Sequence, residues 1–420
     1  MRKIISGRRG GGSPFIFNIN NTIIDLPDSS PVGDFRIPID SQFPAGGGLM
    51  AFTVDWGDGT TSQVNASNYT TSTLHTYGTN GIFTIKLTGN VRGFSFGKMP
   101  SNQGTKDAVK LLEIVQWGDW RGTDIDAFSD CKTMDKITAN DTPVFERFNA
   151  SRDMFDSCDT LLAINNIANW DVSMLSDMTN MFKNCTKFQS GIYPGSPVPP
   201  DLSSWDVSSV TNMSSMFNNA SAFNGELFKI TTTSTITDMF SRASFFNNNN
   251  QSSINNWNVS NVTDMTGVFF GAHSFNQPLD QWDMSNVTIM KYMLAGFNGT
   301  MIFNQPIGSW NTSNVTQLNG ILLRNPSFDQ DLSNWNVNKL NANNLAGFFN
   351  ITGGGTGNEL NLSTVNYDAL LIAWNAYSFP AWPGGTFDFG DSTFSLGTAA
   401  ETARTSLIAK WGAVLDGGGV

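Results

Sequence analysis

The sequence predicts a mixed α/β, multidomain chain: a small β-sandwich at the front, a long repeat solenoid, and a helical cap at the C-terminal end. Three observations predict it. Apolar residues recur at fixed offsets over steps of 25 residues, as from Trp257 to Trp282 and from Trp310 to Trp335. Short alternating segments separated by Gly, Asn and Ser occupy residues 14–98. The last seventy residues, 351–420, drop the repeat and carry a helix-start signal.

The composition sets the frame. The chain has 420 residues, enough for several domains, and only 14% of them are charged, against roughly 25% in an ordinary soluble domain. Aromatics make up 12%, with 32 Phe and 12 Trp, so there is ample apolar mass to bury. The polar surface must come from Asn, Ser and Thr, a pattern typical of extracellular or particle-bound proteins. A net charge of −11 argues against nucleic acid and against anionic membrane surfaces. The longest apolar run, Ala369 to Trp374, is far short of the roughly 18 residues of a membrane span.

The N-terminal segment, MRKIISGRRGGGS, is read as a basic, Gly-rich arm over residues 1–13. Only Ile4 and Ile5 follow Lys3, too few for a secretory leader, and no apolar stretch follows the Arg8–Arg9 pair. The expectation is that the mature chain begins at Met1. Arg2, Lys3, Arg8 and Arg9 stand out on an acidic protein and are the candidate anchor to an acidic partner in a larger assembly, a disordered tail being the alternative.

The front domain is assigned to residues 14–98. Its β-rich segments are Phe15–Ile19, Ala51–Trp56 and Ile82–Leu87, and Asp58-Gly59 is a hairpin signal. Asp55, Trp56, Gly57, Asp58, Gly59 and Thr60, followed by His75, Tyr77, Gly81 and Phe83, resemble the PKD-type, immunoglobulin-like sandwich. The resemblance implies a spacer or a carbohydrate- or protein-binding module, with Trp56 in the inter-sheet core. Asp55 and Asp58 offer clustered oxygens to Ca²⁺, but a structural turn is the preferred reading, and no metal or cofactor is expected.

The solenoid is assigned to residues 99–350. Counting from each tryptophan, aliphatic or sulfur-containing residues fall at +5 and +8, apolar residues at +11 and +12, and Phe at +18. From Trp205 these are Val210, Met213, Met216, Phe217 and Phe223; Trp170, Trp257 and Trp310 start equivalent copies, and Phe228 starts a degenerate one. The step from Trp282 to Trp310 is the same unit with three extra residues. Positions +5, +8, +11 and +12 have helical spacing, which predicts a short helix per repeat, and F-N-Q-x-L-x-x-W-x-V predicts a strand. One strand and one short helix per repeat fit about eight or nine leucine-rich-repeat-like coils, with the tryptophans stacked. Cys131, Cys158 and Cys185 each lie three residues after a repeat Phe and step by 27, so they read as a ladder of small buried residues.

The W-D-V-S-x-V-T-x-M-x-x-M-F and F-N-Q-P-L units resemble the leucine-rich-repeat class of BspA-like bacterial surface proteins, and similar repeats occur in phage proteins. The resemblance implies adhesion or recognition. Residues 351–420 resemble the capping segment of such arrays, and the capping-box spacing of Thr398 and Glu401 predicts a last helix over Ala399–Trp411.

The chemistry residues are sparse. His75 and His273 are the two histidines, and neither adjoins a nucleophile elbow. There is no Gly-x-x-x-x-Gly-Lys-Ser/Thr loop; Gly10–Gly12 and Gly353–Gly355 read as linkers. The recurring pairs Asn276-Gln277, Asn304-Gln305 and Asp329-Gln330 have two readings: a structural ladder closing the turns, or a polar stripe that binds sugar hydroxyls. The expectation is therefore a non-enzymatic structural or recognition protein of a phage virion (a fibre, decoration or tail component) that attaches through its arm and presents its solenoid to a host-surface glycan or protein. A bacterial cell-surface adhesin and a glycan-active enzyme are the alternatives.

Overall fold

The computed structural model describes residues 12–24, 30–39, 51–91, 93–96, 107–122, 125–147, 149–189, 198–340, 360–377 and 385–420. The candidate anchor Arg2, Lys3, Arg8 and Arg9, the linker glycines Gly353–Gly355 and the expected junctions at residues 98–99 and 350–351 lie outside them. The described chain is mostly β-sheet with few helices, and its strands do not close into a barrel. It divides into two compact units, Met1–Asp206 and Val207–Val420.

The first unit is built on a seven-stranded sheet. Its strands are β1 (Phe15–Asn20), β3 (Ala51–Asp55), β4 (Thr61–Asn65), β6 (Ile82–Asn90), β7 (Leu111–Gln116), β9 (Lys136–Ile137) and β11 (Ala163–Ile164), in the order β11-β9-β7-β1-β6-β3-β4. The alternating sequence puts Phe15, Phe17 and Ile19 on the buried face of β1. The β1–β6, β1–β7, β3–β4 and β3–β6 pairs are antiparallel, and the β7–β9 and β9–β11 pairs are parallel. The parallel step sets Ile114 beside Ile137 and Ile137 beside Ile164, so one sheet carries strands from both sides of residue 98. A second sheet pairs β2 (Asp34–Arg36) with β5 (Leu74–Thr76).

Below the sheet, Phe15, Phe94, Trp117, Trp120 and Phe128 pack ring to ring at 5.2–6.4 Å. Lys110 is fully buried, with its Nζ 3.4 Å from Asp107 and donating to the carbonyls of Ser30, Pro31 and Asp34. Asp107 accepts in turn from the backbone N–H groups of Ser30 and Arg36. This charge pair is satisfied on all sides, as a buried pair must be.

The repeats form ladders within each unit. In the first, Phe128, Phe155 and Phe182 stack at 5.7 and 5.6 Å, and Trp170 stacks on Trp205 at 6.3 Å. In the second, Phe217, Phe240 and Phe269 stack at 5.7 Å, and Phe223, Phe246, Phe275, Phe303 and Phe328 at 5.9–6.3 Å. Trp257 stacks on Trp282, and Trp310 on Trp335, each at 6.1 Å; Phe228 takes the tryptophan position and lies 6.3 Å from Trp257. The indoles of Trp205, Trp257, Trp282, Trp310 and Trp335 donate to the preceding repeat, Trp282 Nε1 to the Ile254 carbonyl and Trp310 Nε1 to that of Leu279, both at 2.9 Å.

One expectation is corrected. The segment from +8 to +14 is a ribbon of turns in every described copy, not a short helix, and in residues 207–340 the stretch expected as a strand is irregular, the β-pairing being confined to isolated parallel bridges at +7 such as Asp264–Ile289. The reason lies in the backbone bonding. Met213, Ser215, Phe217 and Asn219 donate their N–H groups to Thr235, Thr237, Met239 and Ser241 in the next repeat. Met216, Asn218 and Ala220 donate three residues back. Alternate residues thus face outward, which requires left-handed backbone at +10 and +14: Ser215 and Asn219 have φ of 55° and 59°, and Gly267 and Gly271 of 61° and 71°. An α-helix tolerates no such residue.

The cysteines form the expected ladder. All three are buried and free, and Cys158 and Cys185 donate Sγ–H to the carbonyls of Phe128 and Phe155 at 3.1 Å. Burial pushes the Cys131 and Cys185 thiols up. At the C-terminal end, helices Thr364–Asn375 and Ala399–Trp411 pack together with the parallel pairs β12 (Gly385–Asp388) with β14 (Gly412–Leu415) and β13 (Thr393–Phe394) with β15 (Gly418–Gly419). The second helix has the predicted limits; Thr398 Oγ1 caps the Ala400 N–H, and Glu401 reaches back to the Gly397 N–H. Arg404 holds Asp416 through two bonds of 2.7 and 3.0 Å, and Tyr367 donates to the same carboxylate at 2.7 Å.

Candidate functional site

The sequence singles out two groups of polar residues, and each forms a connected network. In the first unit, β3 and β4 form the predicted hairpin around Asp58-Gly59, with Asp55 opposite Thr61. Gly57 has φ of 80°, and a Cβ there would meet the Thr84 carbonyl at 2.6 Å, so glycine is required. The hairpin buries Trp56 completely; its Nε1 donates to Ser62 Oγ, and its ring stacks on His75 at 4.7 Å. Tyr77 donates its hydroxyl to the Trp56 carbonyl, and burial pushes its own ionisation above the usual range.

Both acids of the hairpin have partners within the chain. Asp55 accepts from the Gly57 N–H at 3.0 Å and lies 3.8 Å from Lys86 Nζ. Asp58 accepts from the Thr60 N–H and hydroxyl through Oδ1 and lies 2.7 Å from His75 Nε2 through Oδ2. Burial acting alone would raise the Asp58 carboxyl; the hydrogen bonds from Thr60 and His75 outweigh it and hold the group at about 2. The oxygens that offered a site for Ca²⁺ thus close a turn and clamp a histidine.

The Asn-Gln pairs of the second unit line up as a ladder. Asn247 Oδ1 accepts from the Asn276 N–H and Gln277 Nε2, at 2.9 and 3.0 Å. Asn276 Oδ1 accepts from the Asn304 N–H and Gln305 Nε2, at 2.9 and 3.1 Å. Asn304 Oδ1 accepts from the Asp329 N–H and Gln330 Nε2, at 2.9 and 2.8 Å. Asp329 ends the series on the first turn of helix Thr364–Asn375, accepting from the Ser363 N–H and from Asn366 at 2.8 and 2.7 Å. Burial would raise the Asp329 carboxyl, but these donors hold it below the usual range.

Of the two readings of Asn276, Gln277, Asn304, Gln305, Asp329 and Gln330, these bonds describe the structural ladder: the Asn276, Asn304 and Asp329 side-chain oxygens accept from the residues that follow them along the series, because each turn leaves a backbone N–H that needs an acceptor. Two members escaped the sequence reading. Asn224 and Asn247 extend the ladder backward, Asn224 Oδ1 accepting from the N–H groups of Asn247 and Asn249 at 2.8 and 3.0 Å. The signal was present in Phe223-Asn224 and Phe246-Asn247, each an Asn directly after the +18 Phe.

His273 is a loop residue whose Nε2 donates to the Phe297 carbonyl at 2.9 Å, far in sequence from the Asp58–His75 clamp. Among the described residues no group of three or more His, Cys, Asp or Glu has metal-holding geometry, and no helix is long and apolar enough to cross a membrane.

No curated protein matches the sequence. Residues 149–253 and 248–353 each match the family described as Mycoplasma protein of unknown function, DUF285. The two matches fall on the tryptophan-started repeats and on the polar ladder.

Proposed function

We propose that the chain is a non-enzymatic recognition protein, displayed on the surface of a phage particle or a bacterial cell, in which the repeats are a leucine-rich-repeat-like solenoid and the front region a PKD-type sandwich that spaces it. The observation that carries this reading is the use of the repeat residues. The rings, indole N–H groups and ladder amides join one repeat to the next, and what the repeats leave to solvent is the outer turn surface, where side chains vary from copy to copy. A scaffold of that kind holds variable groups at fixed spacing. The buried Trp56, which follows β3 and stacks on His75 of the second sheet, and the Asp58–His75 clamp support the sandwich reading.

The family matched by the repeats is described as a Mycoplasma protein, which fits a bacterial cell as one of the two settings. Quantitative proteomics of purified phage particles and of washed cell-envelope fractions tests the proposal. Enrichment in either fraction is expected; recovery only with free intracellular protein would overturn it. The basic arm is proposed as the attachment point. Deleting residues 2–12 should lower incorporation into the parent assembly and leave the thermal transition in place, and unchanged incorporation would remove the arm from the account.

A further inference from the structure

The repeat that begins at Trp282 departs from its neighbours in two ways on one surface. It is three residues longer than the repeat before it and the one after it. The core does not use the extra length, since Phe275, Phe303 and Phe328 stack without interruption at 6.0 and 6.3 Å. The added residues instead form an outer loop around Phe297. The Gly296 N–H donates to the Leu323 carbonyl at 2.8 Å, the Met301 N–H donates to that of Arg324 at 3.0 Å, and His273 holds the Phe297 carbonyl from the other side. Pinned in this way, the loop sets Phe297 edge-on against Phe270, with 5.3 Å between centroids, and Arg242 lies 4.0 Å over the Phe297 ring.

The second departure is Tyr292. Equivalent positions carry Asn180, Ser215, Gly267 and Gly320, residues suited to left-handed backbone. Tyr292 occupies the same conformation, with φ of 54°, although a bulky residue there is an outlier that the surroundings must enforce. Its ring lies across Gly320, where a Cβ would meet it at 2.5 Å, and stands 5.9 Å from Phe270. Tyr292 is 42% exposed. The backbone of Arg242 is bonded to Phe270 and Ser244, but among the described residues its exposed guanidinium has no hydrogen bond or ion pair. The carboxyl that feels its charge is Asp238, which burial and the neighbouring Asp264 push up from the usual range.

We propose that Tyr292, Phe270, Phe297 and Arg242 form a binding platform for an acidic saccharide, one bearing a uronate or sialate carboxylate. The proposal rests on the recognition reading above and locates its ligand. A pyranose presents a flat face of C–H groups that packs on an exposed aromatic ring, and Tyr292 backed by glycine is such a ring. The phenol hydroxyl gives the platform a polar handle. Arg242, held in place by Phe297, presents a planar donor fork that fits a carboxylate in bidentate fashion. A net charge of −11 disfavours long polyanions, so the ligand expected is a short saccharide with isolated carboxylates.

The test uses the full chain on a printed array of sialylated and uronate-bearing glycans beside their neutral counterparts. Binding to one or more carboxylate-bearing glycans is expected, at least about tenfold stronger than to the neutral partner. Arg242→Gln and Tyr292→Asn should each weaken it by about tenfold or more. Asn is the residue at the equivalent position 180, so Tyr292→Asn relieves the backbone and should leave the melting temperature unchanged or raised. Preference for neutral glycans, or equal binding by a stably folded Tyr292→Asn variant, would overturn the platform and leave surface recognition to another part of the chain. Absence of all glycan binding, with the chain still found on particles or envelopes, would overturn the platform alone; absence from both would take the recognition reading with it.

Discussion

In the turn that leads into β7 of the front sheet, the buried pair Lys110 and Asp107 is satisfied by Ser30, Pro31, Asp34 and Arg36, partners 71 to 80 positions away. In the repeats of the second unit, almost every bond that matters joins a residue to its counterpart in the adjacent copy: ring on ring, indole on carbonyl, Asn on Asn. The first arrangement is a one-off network that fails as a whole when one member is lost. The second is a sum of nearest-neighbour terms, in which a loss is felt locally. The contrast teaches where a fold tolerates variation. The outer turns of a ladder can change side chains freely, whereas Lys110 and Asp107 cannot.

The largest effect is expected at that network. Lys110→Met leaves the Asp107 carboxylate buried without its cation and should destabilise the first unit by about 3–5 kcal/mol in urea unfolding. Lys110→Met combined with Asp107→Asn should recover part of the loss. A double-variant cost equal to the sum of the Lys110→Met and Asp107→Asn costs would show that the pair is not coupled.

A cost of similar size but different reach is expected in the ladder. Trp257→Ala removes a ring stacked between Phe228 and Trp282 and an indole bond to the Phe228 carbonyl, and should cost about 3–5 kcal/mol in denaturant unfolding of the second unit. Asn276→Ala should cost less, about 1–3 kcal/mol by the same measurement, because the Asn304 N–H and the Gln305 amide lose their acceptor but no cavity opens in the core.

The smallest effect is a pH dependence. The Asp58 carboxyl sits at about 2, against an ordinary value of 3.8, so the folded state holds its proton more weakly than the unfolded state. The clamp therefore contributes its full stability above about pH 4 and loses it as pH falls toward 2. Asp58→Asn should flatten that acid limb in thermal melts; an unchanged limb would mean that other groups set it.

Much of this was legible in the sequence because the ladder residues are large and their period is fixed. Trp170, Trp205, Trp257, Trp310 and the +18 Phe series carry their register in their spacing, and the three cysteines fall where a small side chain fits between turns. The terminal helix was readable from Thr398 and Glu401, since capping is local chemistry. The handedness of the ribbon was not. Offsets +5, +8, +11 and +12 mimic a helix, and only the Asn, Asp, Ser and Gly residues at +10 and +14 reveal that the backbone reverses between them. Asn276 and Asn304 were seen, but a pattern that demanded Gln after Asn hid Asn224 and Asn247. The Lys110 network was beyond reach, since no periodicity links residue 110 to residue 34.

Hydrogen exchange on the Trp257→Ala variant tests the central claim most directly, since the account treats the repeats of the second unit as a stack of nearest-neighbour ladders. Backbone amides such as Met213, Phe217 and Phe269, which donate to the next repeat, report the state of each copy. The prediction is a loss of protection that is greatest in the repeats started by Phe228, Trp257 and Trp282 and fades with distance along the stack, with β1, β6 and β7 of the front sheet unchanged. A uniform loss of protection across all repeats and the front sheet would contradict it, because such a result requires one cooperative core in place of stacked copies.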